Sequence, residues 1–208
     1  MQLSEKEKLA RTKVCLSLDG LMTMDELREM VRELNPVAGL FKIGKEAYTR
    51  FGPRAVDAVQ NSGANVFLDL KYHDIPNTVR GAARAAAEMQ VYMFDVHASG
   101  GVQMMKAAVE GARSLPAANK YTPIIIGVTV LTSIDQEMMN QELRVPGSVE
   151  DQVLFLAKNA ERAGLDGIVC SAADLLAIRG TLPANFIYVT PGIQGPNTST
   201  GADQKRVS

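Results

Sequence analysis

Cysteine occurs only twice in the 208 residues, as Cys15 and Cys170, far apart and in no Cys-x-x-Cys spacing. That excludes a disulfide framework and a thioredoxin-like redox motif, and both are expected as buried thiols in a reducing cytoplasm. No His and Cys residues cluster at zinc-ligand spacing, so no metal is expected. An excess of charge of either sign is missing too. Lys plus Arg is 22 and Asp plus Glu 23, a formal net charge of -1, which gives no electrostatic reason to expect nucleic acid or an anionic membrane as partner. No apolar run has the length to span a bilayer, and the charged start MQLSEKEKLARTK has no apolar core of signal-peptide length. No low-complexity linker or composition shift marks a second domain, so residues 1–208 are expected to form a single domain.

What recurs is alternation. Short apolar runs appear at VCLSLD (14–19), GLFKIG (39–44), NVFLDLK (65–71), YMFDVHA (92–98), IIIGVTV (124–130), GIVCS (167–171) and FIYVTPG (186–192). Helical patterns lie between them. MDELREMVREL carries Leu27, Met30, Val31 and Leu34 at helical spacing, with Thr23 placed as N-cap. KEAYTRFGPRAVDAVQNSG, TVRGAARAAAEM, GVQMMKAAVEGA, SVEDQVLFLAKNAERAG and AADLLAIRG supply the others, and SEKEKLA is expected as a solvated start. Near-continuous apolar strands alternating with helices predict a parallel sheet covered by helices. Without a dinucleotide-binding glycine fingerprint, seven such strands favour a (β/α) barrel, α/β in class, over an open sheet.

A TIM (β/α)8 barrel has about 250 residues and an eighth strand. The chain reaches only DQKRVS after the seventh, and is therefore expected to be truncated before that strand, unless a partner or the N-terminal segment fills the gap. Active sites of such barrels lie at the C-terminal ends of the strands. Those ends carry Asp19, Lys42, Asp69, Lys71, His97, Thr129, Ser171 and Thr190.

The densest group is in FLDLKYHDIPNTV (67–79), where Asp69, Lys71, His73 and Asp74 fall within six positions. Burying one unpaired charge is expensive. In a strand, residues two apart face the same way, so Asp69 and Lys71 should point together. With Lys42 on the neighbouring strand and Asp74 just beyond, an alternating array Lys42, Asp69, Lys71, Asp74 is expected, each charge held ionised by its neighbours. The bland alternative is a buried ion-pair network without chemistry. His97 is expected to face inward with Asp95 in a hydrogen-bonding role rather than as a general base, and His73 as a loop residue. The Met pairs 104–105 and 138–139 are expected in packing.

The run DLKYHDIPNTV resembles the signature of the orotidine 5'-phosphate decarboxylase family. LSLD, FKIG, VHASGG, GVTVLTS, VTPGI and DQKR follow in that family's order, so the resemblance runs from about Lys13 to the end. It implies decarboxylation of orotidine 5'-phosphate to UMP and carbon dioxide in de novo pyrimidine biosynthesis, in the cytoplasm, without metal or organic cofactor. Lys71 would stabilise and protonate a carbanion at C6, Asp69 would crowd the substrate carboxylate, and Lys42 and Asp74 would hold the other two in place. Asp19, and with it Lys42, would contact the ribose. The resemblance further implies a homodimer with a shared site, reached by Asp74, Ile75 and Thr78 of the neighbouring subunit. Thr132 matches a base-contacting position, and Pro191 belongs to the TPGI segment. Gln204 matches a residue bridging phosphate and base. Gln194 stands where the family often carries an Arg for the phosphate. LTSIDQEMMNQELRVPG (131–147) and PGIQGPNTSTGADQ (191–204) read as irregular lids, and Arg206 either as a surface helix-start residue or as a neighbour of the phosphate. Related sugar-phosphate decarboxylases and aldolases share the Asp-x-Lys-x-x-Asp core but use magnesium and lack the HDIPNT continuation. A nucleotide-binding fragment without catalysis is the third reading.

Overall fold

A computed structural model describes residues 4–115, 122–193 and 205–206. Its seven strands are β1 (Cys15–Ser17), β2 (Leu40–Gly44), β3 (Asn65–Tyr72), β4 (Met93–His97), β5 (Ile124–Val128), β6 (Gly167–Val169) and β7 (Ile187–Val189). Six of the seven apolar runs contain one of them whole, and β3 extends one residue past its run, to Tyr72. They form one sheet in chain order β1-β2-β3-β4-β5-β6-β7, with every neighbouring pair parallel. This is the winding of a (β/α) barrel, seven strands of which lie among the described residues.

Nine helices run between or beside them: α1 (Glu5–Arg11), α2 (Met24–Leu34), α3 (Lys45–Phe51), α4 (Pro53–Asn61), α5 (Pro76–Glu88), α6 (Gly101–Ala112), α7 (Gln136–Gln141), α8 (Val149–Ala163) and α9 (Ala172–Ile178), among the described residues. Helix α2 begins as expected, because the Thr23 hydroxyl accepts the Glu26 amide while Glu26 reaches back to the Thr23 amide. The solvated start is exposed as expected, folded as α1 with a Ser4–Glu7 capping box and no buried residue. Two stretches differ from expectation. The segment 45–63 splits in two, because Gly52 takes φ 61° and Pro53 starts a new helix. The stretch 131–147 is not irregular throughout: it contains α7, capped by Asp135, with Met139 only 1% exposed in the core.

The two faces of the sheet carry separate apolar clusters. Outward-facing Phe41, Ile43, Val66, Leu68, Phe94, Val96 and Ile125 pack beneath the helices in the larger one, with Met104 and Met105. Phe67, Met93 and Ile126 form a smaller cluster on the inward face, joined by Cys15, Leu40, Val169 and Val189. Strand alternation then sets what lies one layer nearer the C-terminal ends: Ser17 above Cys15, Lys42 above Leu40, Asp69 above Phe67 and Asp95 above Met93. An apolar floor thus underlies a polar layer. Helices α5 and α6 approach closely on the outside, where a Cβ on Gly111 would collide with the Arg80 carbonyl.

Candidate active site

The polar layer is a continuous chain of ion pairs. The Ser17 hydroxyl donates to Asp19 Oδ2 at 2.6 Å. Lys42 Nζ donates to the same Asp19 oxygen at 2.8 Å and lies 3.2 Å from Asp69 Oδ2. Lys71 Nζ donates to Asp69 Oδ1. The side chain of Asp69 is 11% exposed, while those of Lys42 and Lys71 are 23% and 25% exposed. The row is therefore sheltered but open on one side. Two cations and two anions alternate in it, and Asp19 supplies the end for which Asp74 was expected.

Asp95 is the member that strand patterning noted only beside His97. It is 1% exposed, and its Oδ1 accepts the Lys71 backbone amide at 2.8 Å. Its Oδ2 lies 3.9 Å from Lys71 Nζ. The strand register shows why this contact exists. Leu68 pairs with Phe94 and Tyr72 with Val96, so β3 spends four residues where β4 spends two. Lys71 sits in that bulge with φ 51°, left-handed for a residue carrying a Cβ. Such a conformation costs roughly 1–2 kcal/mol. Asp69 and Lys71 do meet, but through a bulge rather than a straight strand.

The electrostatics follow from this packing. Burial disfavours the Lys42 ammonium, but the Asp19 hydrogen bond and the Asp69 charge outweigh it, and its pKa lies above the ordinary lysine value. Burial likewise works against ionised Asp69. The hydrogen bond from Asp95 and the charges of Lys71 and Lys42 prevail, holding it below the usual carboxylate range. Asp95 goes the other way: burial first, and then the Asp69 charge, push it well above. With both carboxyls ionised, Asp95 Oδ2 has no donor among the described residues. With a proton on it, it donates to Asp69.

The remaining expected residues lie as follows. Asp74 is exposed, with Oδ1 accepting the Ile75 amide at 2.6 Å, and it enters no ion pair among the described residues. It stands apart from the row, because the chain has already left β3 for α5. Ile75 and Thr78 are exposed at the start of α5, and His73, Asp74, Ile75, Pro76 and Gly100 line an open depression of about 560 Å³. Thr132 is half-buried, and its carbonyl accepts the amides of Lys205 and Arg206, each at 3.0 Å. Pro191 is half-buried just beyond β7. Gln194 and Gln204 lie outside the described residues. Arg206 is not a surface helix-start residue: it pairs with buried Asp174 at 2.7 Å and donates to the Val130 carbonyl at 2.7 Å, tying the chain after β7 to the β5 loop and α9.

His97 lies with its ring 5.3 Å from that of His73 and makes no side-chain hydrogen bond among the described residues. Burial, with the neighbouring His73, Lys45 and Lys71, lowers its pKa to about 4. It is neutral in the native protein at pH 7 and must charge on unfolding as the pH falls from 6.5 towards 4. The unfolded state binds the extra proton in that window, so stability is lost with acidification. Denaturant unfolding should show the unmodified chain losing up to about 2 kcal/mol relative to His97→Asn between pH 7 and pH 4, a ceiling reduced for solvent screening.

Two positions that shape the row escaped the sequence reading altogether. Ser17, two residues before Asp19, shares its face by alternation. Gly44, two after Lys42, is where an added Cβ would lie 2.5 Å from Asp19 Oδ1 and 3.0 Å from Lys42 Nζ. Its missing side chain is the space in which that pair forms.

Comparisons with known proteins agree with this geometry. Residues 12–208 match the Orotidine 5'-phosphate decarboxylase / HUMPS family. Orotidine 5'-phosphate decarboxylase of Syntrophus aciditrophicus is 46% identical over 206 residues, covering 99% of this chain and 81% of its relative. That of Moorella thermoacetica is 44% identical over 209 residues, covering 100% and 82%. The crystal structure of Orotidine 5'-phosphate decarboxylase from Lactobacillus acidophilus superposes with a TM-score of 0.80 at 35% identity, over 88% of this chain and 82% of that one. An uncharacterized conserved protein from Geobacillus kaustophilus gives 0.76 at 39% identity, over 85% and 82%. With sequence, fold and near-complete coverage in agreement, the chain belongs to the Orotidine 5'-phosphate decarboxylase / HUMPS family.

Proposed function

We propose that the chain decarboxylates orotidine 5'-phosphate to UMP and carbon dioxide, with Lys71 as the group that stabilises and protonates C6. The observation that carries this reading is the sheltered Asp19–Lys42–Asp69–Lys71 row at the C-terminal ends of β1, β2 and β3. Loss of carbon dioxide leaves an electron pair on C6. An ammonium held beside it lowers the energy of that charge and then supplies the proton, becoming an amine that recovers its proton from solvent. Asp69 keeps Lys71 charged and places a second anion near the departing carboxylate, a repulsion that loss of carbon dioxide relieves. Lys42 and Asp19, on the open side of the row, are positioned for the ribose hydroxyls.

The barrier to remove is near the top of the enzymatic range, about 23 kcal/mol. One lysine does not supply that, so binding energy from the phosphate must contribute. Thr132, Pro191, Gln194 and Gln204 are proposed on that side. Asp74, Ile75 and Thr78 are proposed to complete the site of a second copy. Their support is their exposure at the start of α5, where Ile75 is 67% exposed. A cytoplasmic location suits a nucleotide substrate, and among the described residues no helix is long and apolar enough to cross a membrane.

The test is the fall in orotidine 5'-phosphate absorbance with chelator present. Turnover without metal supports the reading. Activity that chelation abolishes and magnesium restores overturns it in favour of the sugar-phosphate enzymes. UMP binding by calorimetry without turnover would identify a binding fragment instead, and sedimentation with and without UMP tests the dimer. Gly44→Ala probes the ribose end. It should displace Asp19 and raise KM about three- to tenfold, the effect of one lost hydrogen bond, with kcat less affected.

A further inference from the structure

We propose that Asp95 is a positioning residue for this reaction: its buried carboxyl holds the Lys71 amide, and so fixes the bulge that turns the Lys71 ammonium back onto Asp69. This rests on the decarboxylase reading for its catalytic consequence, but its geometry stands alone. Between the paired positions Leu68↔Phe94 and Tyr72↔Val96, three residues of β3 oppose one of β4, and that one is Asp95. Its Oδ1 takes the Lys71 N–H at 2.8 Å. No strand partner on β4 is in register for that amide, so without the carboxyl a backbone donor inside the bulge would go unpaired.

Lys71 has φ 51°, a conformation that a residue with a Cβ keeps only where its surroundings impose it. A side chain aimed by a strained backbone is aimed only as well as the strain is held. Asp95 is the group in contact with both ends of Lys71, the amide at 2.8 Å and the ammonium at 3.9 Å. Its 1% exposure leaves it no water to prefer over these partners.

The second oxygen completes the argument. Burial and the Asp69 charge push the Asp95 pKa well above the ordinary carboxylate value, which favours the form that hydrogen-bonds to Asp69 over the form that repels it. In that form Asp95 adds no third anion to a row of two cations and two anions. It accepts the Lys71 amide on one oxygen and offers a hydrogen to Asp69, which is the pattern of an amide. An aspartate in this role is replaceable by asparagine and by nothing apolar.

The experiment compares Asp95→Ala and Asp95→Asn by turnover, thermal unfolding and crystal structure. Asp95→Ala should lower kcat at least about thirtyfold, as misplacing a reacting group by an ångström does, with KM changed less than about threefold. Lys71 should relax to negative φ, its ammonium leaving Asp69. Asp95→Asn should rescue kcat to within about fivefold of the unmodified chain, with Lys71 still left-handed. The proposal is overturned if Asp95→Ala keeps φ of Lys71 near its present value. It is equally overturned if a folded Asp95→Asn loses as much kcat as Lys71 variants do, because the charge and not the hydrogen bonds would then matter. Should Asp95→Ala fail to fold, the asparagine variant still decides. Should the unmodified chain itself show no turnover, the decarboxylase reading fails, while the φ of Lys71 in the two variants still tests the clamp.

Discussion

Lys71→Ala should lower kcat at least about 10⁴-fold, the largest effect of any single change in the chain. The side chain is proposed to do two things at once. As a proton donor in the transition state it is worth about 10²–10⁴ in rate. As a placed charge in a sheltered site it is worth about 10²–10³. The two are not independent, so the product is a ceiling and the larger contribution a floor. Folding should survive, because Asp69 keeps Lys42 at 3.2 Å as counter-ion. A companion variant separates strain from chemistry. Lys71→Gly should be equally inactive yet about 1 kcal/mol more stable than Lys71→Ala, because glycine adopts the left-handed conformation without a Cβ penalty. Equal unfolding midpoints for the two variants would show that φ 51° at this residue stores no strain. Retained turnover in either would end the proposed mechanism.

Asp69→Ala should rank second, lowering kcat about 10²–10³-fold with a stability loss of about 2 kcal/mol. The stability figure sits below that for a fully buried broken pair, since the two lysine side chains are 23% and 25% exposed and retain some water. Removing Asp69 strands two ammoniums with different fates. Lys42 keeps Asp19 at 2.8 Å, whereas Lys71 keeps only Asp95, at 3.9 Å. Asp69 is itself one cause of the raised Asp95 pKa. Its loss should let Asp95 ionise at lower pH and partly replace the missing anion. The residual activity of Asp69→Ala should therefore fall further in the double variant with Asp95→Asn. If the two changes multiply independently, the carboxyls do not share the lysine.

Much of this arrangement was legible before any coordinates. Seven apolar runs separated by helical periods specify a parallel winding, and a strand forms at each run. The same runs put Asp19, Lys42, Asp69 and Lys71 at the C-terminal ends of the first three strands. What was not legible is local. The bulge in β3 carries no glycine to announce it, since Lys71 itself takes the positive φ. The straight-strand argument therefore reached the correct pairing of Asp69 with Lys71 for an incomplete reason. Asp95 sits in YMFDVHA as one polar residue in an apolar run, and only the register of β3 against β4 gives it the Lys71 amide as partner. Asp74 does not join the row within its own chain, because the backbone turns into α5 at Ile75; the place expected for it is the site of a neighbouring subunit. Helix α7 is six residues long and owes its position to Asp135 and to buried Met139, a tertiary contact with little intrinsic periodicity behind it.

The wedge of Phe67, Met93 and Ile126 beneath the lysines has its own consequence. It offers the two ammoniums no polar partner from below, so an anion that settles on the exposed part of Lys42 and Lys71, 23% and 25% of their side chains, should compete with substrate for both.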